Sequence, residues 1–189
     1  MVVHQEDPAD RLFFLIKGSG RYFIHTHEGR KLLLIWVAAG EIFGGSTLLE
    51  EPSSYLCGVE VTRGTRILVW ERDKIRDLSA RYPKLLDNAL SIATDYLAWY
   101  VATHVALTCH SARQRVAQVL LNLAKGIGEK VEGGIRLSIT NEELASASNV
   151  TLFTASRLMA EWQRRGIIVK GRGKVLISGL QGLESAGEE

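Results

Sequence analysis

The sequence predicts an α+β protein with an N-terminal antiparallel β-roll, a long helix and a C-terminal winged helix-turn-helix. Three observations predict this order. The first third holds short β-rich runs separated by glycines, residues 84–109 are apolar and lack proline and glycine, and residues 140–178 hold two capped helical segments and a hairpin pattern. The predicted parts are a roll over 1–80, a long helix over 81–110, a helix-turn-helix domain over 111–180 and a disordered tail over 181–189.

The roll is predicted from evenly spaced β-rich runs. Glycines separate the first three runs, and Glu28-Gly29 is a hairpin-turn pair between the second and the third. Short strands with glycine corners are typical of a sandwich or roll. The predicted strands cover residues 12–17, 21–26, 31–37, 55–62 and 65–71.

Length and composition limit the class of protein. At 189 residues with 46% hydrophobic and 23% charged content, the chain can bury a full core and make two small domains. No apolar run reaches the roughly 18 residues of a membrane span, and the start does not resemble a signal peptide, so we expect a soluble cytoplasmic protein without membrane contact. Cys57 and Cys109 lack metal-site spacing, and we expect neither a disulfide nor a metal or other cofactor.

The segment from Pro83 to about Cys109 has no internal proline or glycine and predicts an uninterrupted helix of roughly 40 Å with two apolar stripes. The first stripe follows an a/d heptad spacing, which favours pairing with a twin helix in a homodimer, while the second favours packing on the roll. A single buried core helix is the alternative. The first stripe, called the seam below, is Leu86, Leu90, Ala93, Leu97, Tyr100, His104 and Leu107. The second stripe is Leu85, Ala89, Ile92, Tyr96, Trp99 and Thr103.

Residues 140–168 predict two short helices joined by a tight turn, the pattern of a DNA-reading helix-turn-helix. Thr140 and Glu143 form a capping box that begins one helix, Asn149 tolerates the positive φ of a reversal, and Thr151 caps the next helix. An ordinary helix pair in an unrelated core is the alternative. The predicted buried stripe of the second helix is Ala155, Leu158, Met159 and Trp162.

A cationic hairpin is predicted directly after the second helix. Gly166 ends that helix, and two β-branched runs flank residues 170–174, which gives the form of a wing. Residues 151–178 contain six cationic side chains and a single acidic one, Glu161. Their local charge is therefore +5 in a chain whose total is +2. Charge concentrated on one module indicates phosphate binding.

This order of parts resembles the family of the cyclic-AMP receptor protein and the fumarate-nitrate reduction regulator, the Crp/Fnr family of bacterial transcription factors. The resemblance covers nearly the whole chain and implies a homodimer, double-stranded DNA with a two-fold symmetric operator, and RNA polymerase as partners. The chain begins almost on the first matching segment, so we expect a truncated start or a reduced roll. The matching segments are DPADRL at 7–12, GEIFG at 40–44, RVAQVLLNLAK at 115–125, and residues 140–168.

The effector pocket that the resemblance implies is degenerate. In cyclic-nucleotide members a glutamate binds the ribose and an Arg-Ser pair binds the phosphate, but here Gly45, Tyr55 and Leu56 occupy those positions. Each lost charge-assisted hydrogen bond costs about 1.5 to 3 kcal/mol of binding free energy, so we do not expect cyclic AMP to be the effector. The sequence does not identify another effector. A haem group would have to be bound by His25 or His27. The sequence around these histidines has no haem-ligation motif, so haem is not expected. The aligned positions are Gly44, Gly45, Ser46, Thr47, Tyr55 and Leu56, with Tyr100 and Val101 at the purine positions.

The resemblance also implies how DNA is bound. The first turn of the second helix reads bases, and Arg157 has the fork that pairs with guanine O6 and N7. Leu152 or Phe153 could pack on a thymine methyl, or one of them could turn inward as core. The implied base-reading residues are Thr151, Leu152, Phe153, Thr154 and Arg157. The implied phosphate-binding residues are Thr140, Asn141, Lys170, Arg172 and Lys174.

Two other functional classes compete with a DNA-binding regulator. One is a protein-interaction or sensor module whose helix-turn-helix serves assembly, which the local charge of +5 disfavours because assembly surfaces lose charge at their core. The other is an enzyme, but the sequence has no Ser-His-Asp, H-E-x-x-H or phosphate-loop spacing. We therefore expect a protein that is not an enzyme.

Overall fold

The computed structural model describes residues 1–51 and 53–189, and the chain divides into two compact units, Met1–Ala102 and Thr103–Glu189. The first unit is mainly antiparallel β structure and the second combines helices with an antiparallel sheet, so the predicted α+β class is confirmed.

Two three-stranded antiparallel sheets form the roll of the first unit. One has the order β4-β1-β6 and the other β3-β2-β5, and a short 3₁₀ helix, Gly45–Leu48, follows β4. Gly29 has a φ of 76° in the turn between β2 and β3, so the predicted hairpin is confirmed. The strands are β1 (Arg11–Lys17), β2 (Gly20–His25), β3 (Lys31–Val37), β4 (Ile42–Phe43), β5 (Gly58–Val61) and β6 (Arg66–Glu71).

The core of this unit lies between the two sheets. Phe13 and Phe43 stack with ring centroids 4.7 Å apart, and Leu15, Val37 and Val59 are buried beside them. Alternate residues along β1 face this core because side chains of a strand point to opposite faces in turn. The burial of these apolar side chains is what stabilises the roll.

Two helices follow the roll, α1 (Arg72–Arg81) and α2 (Lys84–Cys109). The predicted uninterrupted helix is therefore confirmed, and its two stripes differ in burial. Every residue of the second stripe is half-buried, and Tyr96 packs edge-on against Tyr22 of β2 with ring centroids 5.9 Å apart. Every residue of the seam is exposed. The protomer thus leaves one apolar stripe of α2 uncovered.

The second unit holds the predicted helix pair and wing, with additional elements around them. The sheet has the order β7-β8-β10-β9, all pairs antiparallel. The strands β7 and β8 were not predicted, since they are short and follow α3 within a charged stretch. The elements are α3 (Ala112–Gly126), β7 (Glu129–Val131), β8 (Gly134–Leu137), α4 (Asn141–Ala147), α5 (Leu152–Arg164), β9 (Ile168–Gly171), β10 (Lys174–Ile177) and α6 (Leu180–Glu188).

The expectation of a disordered tail over residues 181–189 is wrong. These residues form most of α6, which packs on α3 and buries Leu183 and Ala186. Gly187 lies so close to α3 that an added Cβ would be 2.7 Å from the Cβ of Ala117. A helix of this length is stabilised by such packing and not by its own propensity, which is why its polar composition was misleading.

An ion-pair network joins the helices of the second unit. The Arg113 guanidinium donates to both carboxylate oxygens of Glu161 at 2.8 and 2.9 Å, and the two side chains are only 23% and 24% exposed. The hydrogen bond from Arg113 lowers the pKa of Glu161 below its ordinary value of 4.5. Arg165 makes a similar paired contact with Glu189.

Replacing Glu161 with Gln is expected to lower the melting temperature of the C-terminal unit at pH 7 by a few degrees. The pKa of Glu161 is lowered in the folded state, so its stabilisation is present above pH 4.5 and is lost as the pH falls below that value. Thermal unfolding followed by circular dichroism at pH 7 and pH 3.5 checks this. The difference from wild type should shrink at pH 3.5, and Glu184→Gln, an exposed residue of α6, should show no difference at either pH.

Candidate nucleic-acid interface

The helix-turn-helix begins and turns at the residues that the sequence indicates. Thr140 accepts from the Glu143 amide at 3.1 Å while the Glu143 carboxylate accepts from the Thr140 amide at 2.8 Å, which completes the capping box. Asn149 has a φ of 48°, and the Thr151 hydroxyl accepts from the Thr154 amide at 3.1 Å. These caps set the start of α4 and of α5.

The turn between the helices is fixed by an arginine whose role the sequence did not indicate. Arg115 of α3 donates from Nε to the Ser148 carbonyl at 2.9 Å and from Nη2 to the Asn149 carbonyl at 3.2 Å. Its Nη1 donates to the His110 carbonyl at 2.8 Å, just after α2 ends. Arg115 therefore ties the turn to the end of the long helix. Its partners are carbonyl groups, and backbone acceptors leave no residue pattern in a sequence.

The two phosphate candidates at the start of α4 have partners within the protein. The Thr140 hydroxyl serves the cap, and the Asn141 side chain donates to the Ser156 hydroxyl of α5 at 3.0 Å. The second contact joins α4 to α5. Both residues remain at least partly exposed, so they lie at the surface as well as holding the helix pair together.

The first turn of α5 presents apolar side chains to solvent. Leu152 and Phe153 are 47% and 77% exposed, so the alternative that one of them turns inward as core is wrong. The hydroxyls of Thr151 and Thr154 lie 2.9 Å apart and bond to each other. The polar atoms of this turn are thus engaged locally.

Arg157 extends from the exposed side of α5. It has no hydrogen bond or ion pair within the described part of the chain, whereas Leu158 and Trp162 on the opposite side are fully buried. A buried stripe beneath an exposed arginine fixes the direction of the helix and hence of the side chain. Arg157 lines an open depression of about 520 Å³ together with Ala160, Gln163 and Arg164.

The wing places its cations on two strands and their connection. Lys170 lies in β9 and Lys174 in β10, where they flank the turn that carries Arg172. Gly173 has a φ of 65°, which suits the tight connection. Arg172 and Lys174 are exposed and Lys170 is half-buried. The predicted hairpin is confirmed, but only Arg172 of the three lies in the turn itself.

Several residues at the predicted effector positions pack against Arg11 of β1. Tyr55 is buried, and its hydroxyl accepts from the Arg11 amide at 2.9 Å and donates to the Arg11 carbonyl at 2.8 Å. Thr47, also buried, donates to the same carbonyl at 2.6 Å. Gly44 has a φ of 81°, and a Cβ there would lie 2.7 Å from that carbonyl oxygen.

An arginine of α1 holds this segment from its other side. Arg72 donates to the carbonyls of Thr47 at 2.9 Å, Leu49 at 2.7 Å and Glu50 at 3.0 Å. Arg76 adds a contact to the Leu49 carbonyl. The guanidinium groups of this region therefore bind the backbone of the segment. Leu56, at the serine position, is 85% exposed and contributes no hydrogen-bonding group.

Within residues 1–51 and 53–189, His, Cys, Asp and Glu form no cluster of three or more suited to a metal ion. Cys57 is half-buried and Cys109 is exposed, and both are free thiols. Burial raises the pKa of Cys57. In the same part of the chain, no helix combines the length and the apolar character needed to cross a membrane.

Comparisons with known proteins cover both units. Residues 1–82 match the cyclic nucleotide-binding domain, and residues 114–186 match the Crp-like helix-turn-helix domain. The chain is 26% identical over 179 residues to the CRP-like cAMP-activated global transcriptional regulator of Mycobacterium tuberculosis, a match that spans 94% of this chain and 80% of that protein. It is 24% identical over 177 residues to the cAMP-activated global transcriptional regulator CRP of Salmonella typhimurium, across 93% and 84% of the two chains. Its fold is similar to that of a CRP-family transcriptional regulator from Thermus thermophilus, with a TM-score of 0.83, 23% identity, and coverage of 100% of this chain and 93% of the other.

Proposed function

Because the chain belongs to the Crp/Fnr family of transcription regulators, we propose that it binds a two-fold symmetric operator as a homodimer without a cyclic nucleotide. It is a DNA-binding transcription regulator of this family. The proposal adds the oligomeric state, the residues that contact DNA and the loss of the usual ligand. We propose RNA polymerase as a further partner and the cytoplasm as the location of the protein.

The helix-turn-helix is the observation that carries the proposal. Its two helices are capped and locked to each other, and the exposed side of α5 offers Arg157 beside Leu152 and Phe153. The exposed cations of the wing supply attraction for phosphate. Sequence-specific binding needs phosphate contacts that position the protein on the duplex and base contacts that select the sequence. The wing can supply the first and α5 the second.

Selection from a library of random DNA duplexes tests this proposal. The full-length protein should enrich a two-fold symmetric sequence with half-sites about 34 Å apart, one turn of duplex. Binding to random DNA should be weaker by a factor of about 10³ or more. If no sequence is enriched, DNA reading fails and the assembly role for the helix-turn-helix is favoured.

The uncovered seam of α2 supports the homodimer. Its residues share one side of the helix, and large apolar members such as Leu90 and Leu97 are more than half exposed. Contiguous exposed apolar surface of this kind marks an interface. A second copy of α2 offers the matching heptad spacing, because a two-fold axis pairs the same surface with itself.

The packed effector segment supports the loss of cyclic nucleotides. A phenol stands where the family has a guanidinium, and burial raises its pKa above the ordinary value of 10, so Tyr55 stays neutral. The segment's own backbone receives the hydrogen bonds of Arg72. A cyclic phosphate would thus meet a neutral phenol in place of a guanidinium at this position.

Cyclic AMP and cyclic GMP are expected not to bind at micromolar concentration. Isothermal titration of the dimer with either nucleotide should give no heat beyond dilution, because the guanidinium and the glutamate of the family are replaced by Tyr55 and Gly45. The effect is large, since each missing charge-assisted bond costs about 1.5 to 3 kcal/mol. Micromolar binding that disappears in Tyr55→Ala or Gly45→Ala would contradict the prediction and show a rebuilt pocket.

A further inference from the structure

The two apolar side chains at the start of α5 have no structural explanation within their unit. The apolar stripe of α5, which includes Leu158, Met159 and Trp162, is completely buried. Phe153 is nevertheless 77% exposed and Leu152 is 47% exposed. Exposed aromatic side chains at a binding surface are typical of contact positions, since covering them removes apolar surface from water.

The polar atoms near these side chains are already engaged. The Thr151 hydroxyl accepts from the Thr154 amide and bonds to the Thr154 hydroxyl, as the cap of α5 requires. The surface that this turn offers is therefore mainly carbon. Arg157, one helical turn beyond Phe153, is the adjacent charged group on the exposed side.

DNA has one apolar group at the base edges of its major groove, the C5-methyl of thymine, and 5-methylcytosine carries the same group on the same carbon. We propose that Phe153, supported by Leu152, recognises a pyrimidine C5-methyl in each operator half-site. The inference rests on the DNA-binding function proposed above and names the chemistry by which this turn selects its sequence.

DNA is the occupant that the surroundings favour. Phe153 and Leu152 lie on the same helix as Arg157, and residues 151–178 carry a local charge of +5. A protein partner would have to cover these cations along with the phenyl ring, and interface cores are depleted of charge. Phe153 also lies one helical turn before Arg157 on the exposed side of α5, so both side chains can enter the same groove.

Single-atom changes in the operator test the proposal. In the selected operator, each thymine is replaced in turn by deoxyuridine, which removes the methyl and leaves every hydrogen-bonding atom in place. Where a selected position is cytosine, 5-methylcytosine and cytosine are compared. At one position of the half-site the methyl should strengthen binding. The expected gain is about fourfold when one half-site carries the methyl and about fifteenfold when both do. Fluorescence anisotropy with the full-length protein measures this gain.

The protein variants link this effect to Phe153. In Phe153→Ala the methyl effect at that position should disappear, and affinity for the methylated operator should fall to that of wild type on the demethylated one. Alanine is a better helix former than phenylalanine, so the variant should fold, and its circular dichroism is compared with wild type. Leu68→Ala is the control, because it removes another exposed apolar side chain that lies in β6 of the roll. This variant should keep the full methyl effect.

Three results separate this inference from the function on which it rests. If the operator is bound but every deoxyuridine substitution is neutral, methyl recognition is wrong while DNA binding stands. If Phe153→Ala changes neither affinity nor the methyl effect, the ring serves another contact, such as a protein partner, and the inference is overturned. If no operator is selected at all, both the inference and the proposed function fail.

Discussion

Replacing Leu97 with Asp is expected to convert the protein to a monomer and to abolish tight operator binding. Leu97 lies at the middle of the seam and is 62% exposed in the protomer. In a homodimer two copies of the new carboxylate would face each other in an apolar interface. An uncompensated buried charge costs about 3 to 5 kcal/mol, which raises the dimer dissociation constant by a factor on the order of 10² or more.

Sedimentation velocity over a range of protein concentrations measures this effect. Asn88→Asp is the matched control, because residue 88 is exposed on the opposite side of α2 and the substitution adds the same charge. The control should remain a dimer. A dimer of unchanged affinity in Leu97→Asp would place the interface away from the seam.

Operator binding provides a second measure of the same variant. A monomer should bind a full operator no better than an isolated half-site, because the two recognition helices are no longer held one turn of duplex apart. The wild-type dimer should prefer the full operator strongly, since the second half-site binds as an intramolecular event. Equal affinity of the wild type for both DNAs would count against the dimer proposal.

Local patterns predicted most of the fold. Thr140, Asn149 and Thr151 identified both helix starts and the turn, since capping and positive φ are properties of single residues. The α2 stripes followed from spacing alone. The heptad seam and the half-buried second stripe lie on separate sides of the helix, as the sequence indicates.

Features that depend on contacts distant in sequence were missed. The helix α6 is held by close packing of Gly187 on Ala117, 70 residues away, and its own sequence is polar enough to suggest disorder. Arg115 fixes the helix-turn-helix through backbone carbonyls, which no residue type reveals. In the roll, the family resemblance implies that Tyr55 replaces an arginine, but only the structure shows that the phenol packs into the core.

The candidate site divides in the same way. The cations of the wing and the exposed Arg157 were predicted from charge and helical spacing. The sequence does not decide whether Leu152 and Phe153 are buried or exposed, because an apolar side chain at a helix start has the same sequence pattern whether it packs inward or faces a partner. Their exposure in the structure excludes the inward packing and supports the proposal that the first turn of α5 contacts DNA.

Replacing Arg157 with Ala is expected to reduce operator affinity by about 1 to 3 kcal/mol per half-site, mostly at one base pair, and to leave random DNA less affected. Replacing Lys174 with Ala should instead weaken binding to the operator and to random DNA by the same factor. The reason is geometric. Arg157 is held in a fixed direction by the buried Leu158 and Trp162 beneath it, whereas Lys174 extends from a strand beside the wing turn. A fixed fork can discriminate bases, while a mobile ammonium supplies charge to phosphate.

Competition binding at two salt concentrations separates the two roles. Lys174→Ala should lower the salt slope by roughly 0.9 for each phosphate that is no longer neutralised, or about 1.8 for a dimer. Lys125→Ala, an exposed lysine of α3, controls for net charge and should change the slope less. Arg157→Lys keeps the charge but loses the bidentate fork, so it should bind random DNA like wild type and still lose operator affinity. If Arg157→Ala reduces operator and random affinity by the same factor, Arg157 only clamps phosphate, and base reading must fall to the first turn of α5, namely Thr151, Leu152, Phe153 and Thr154.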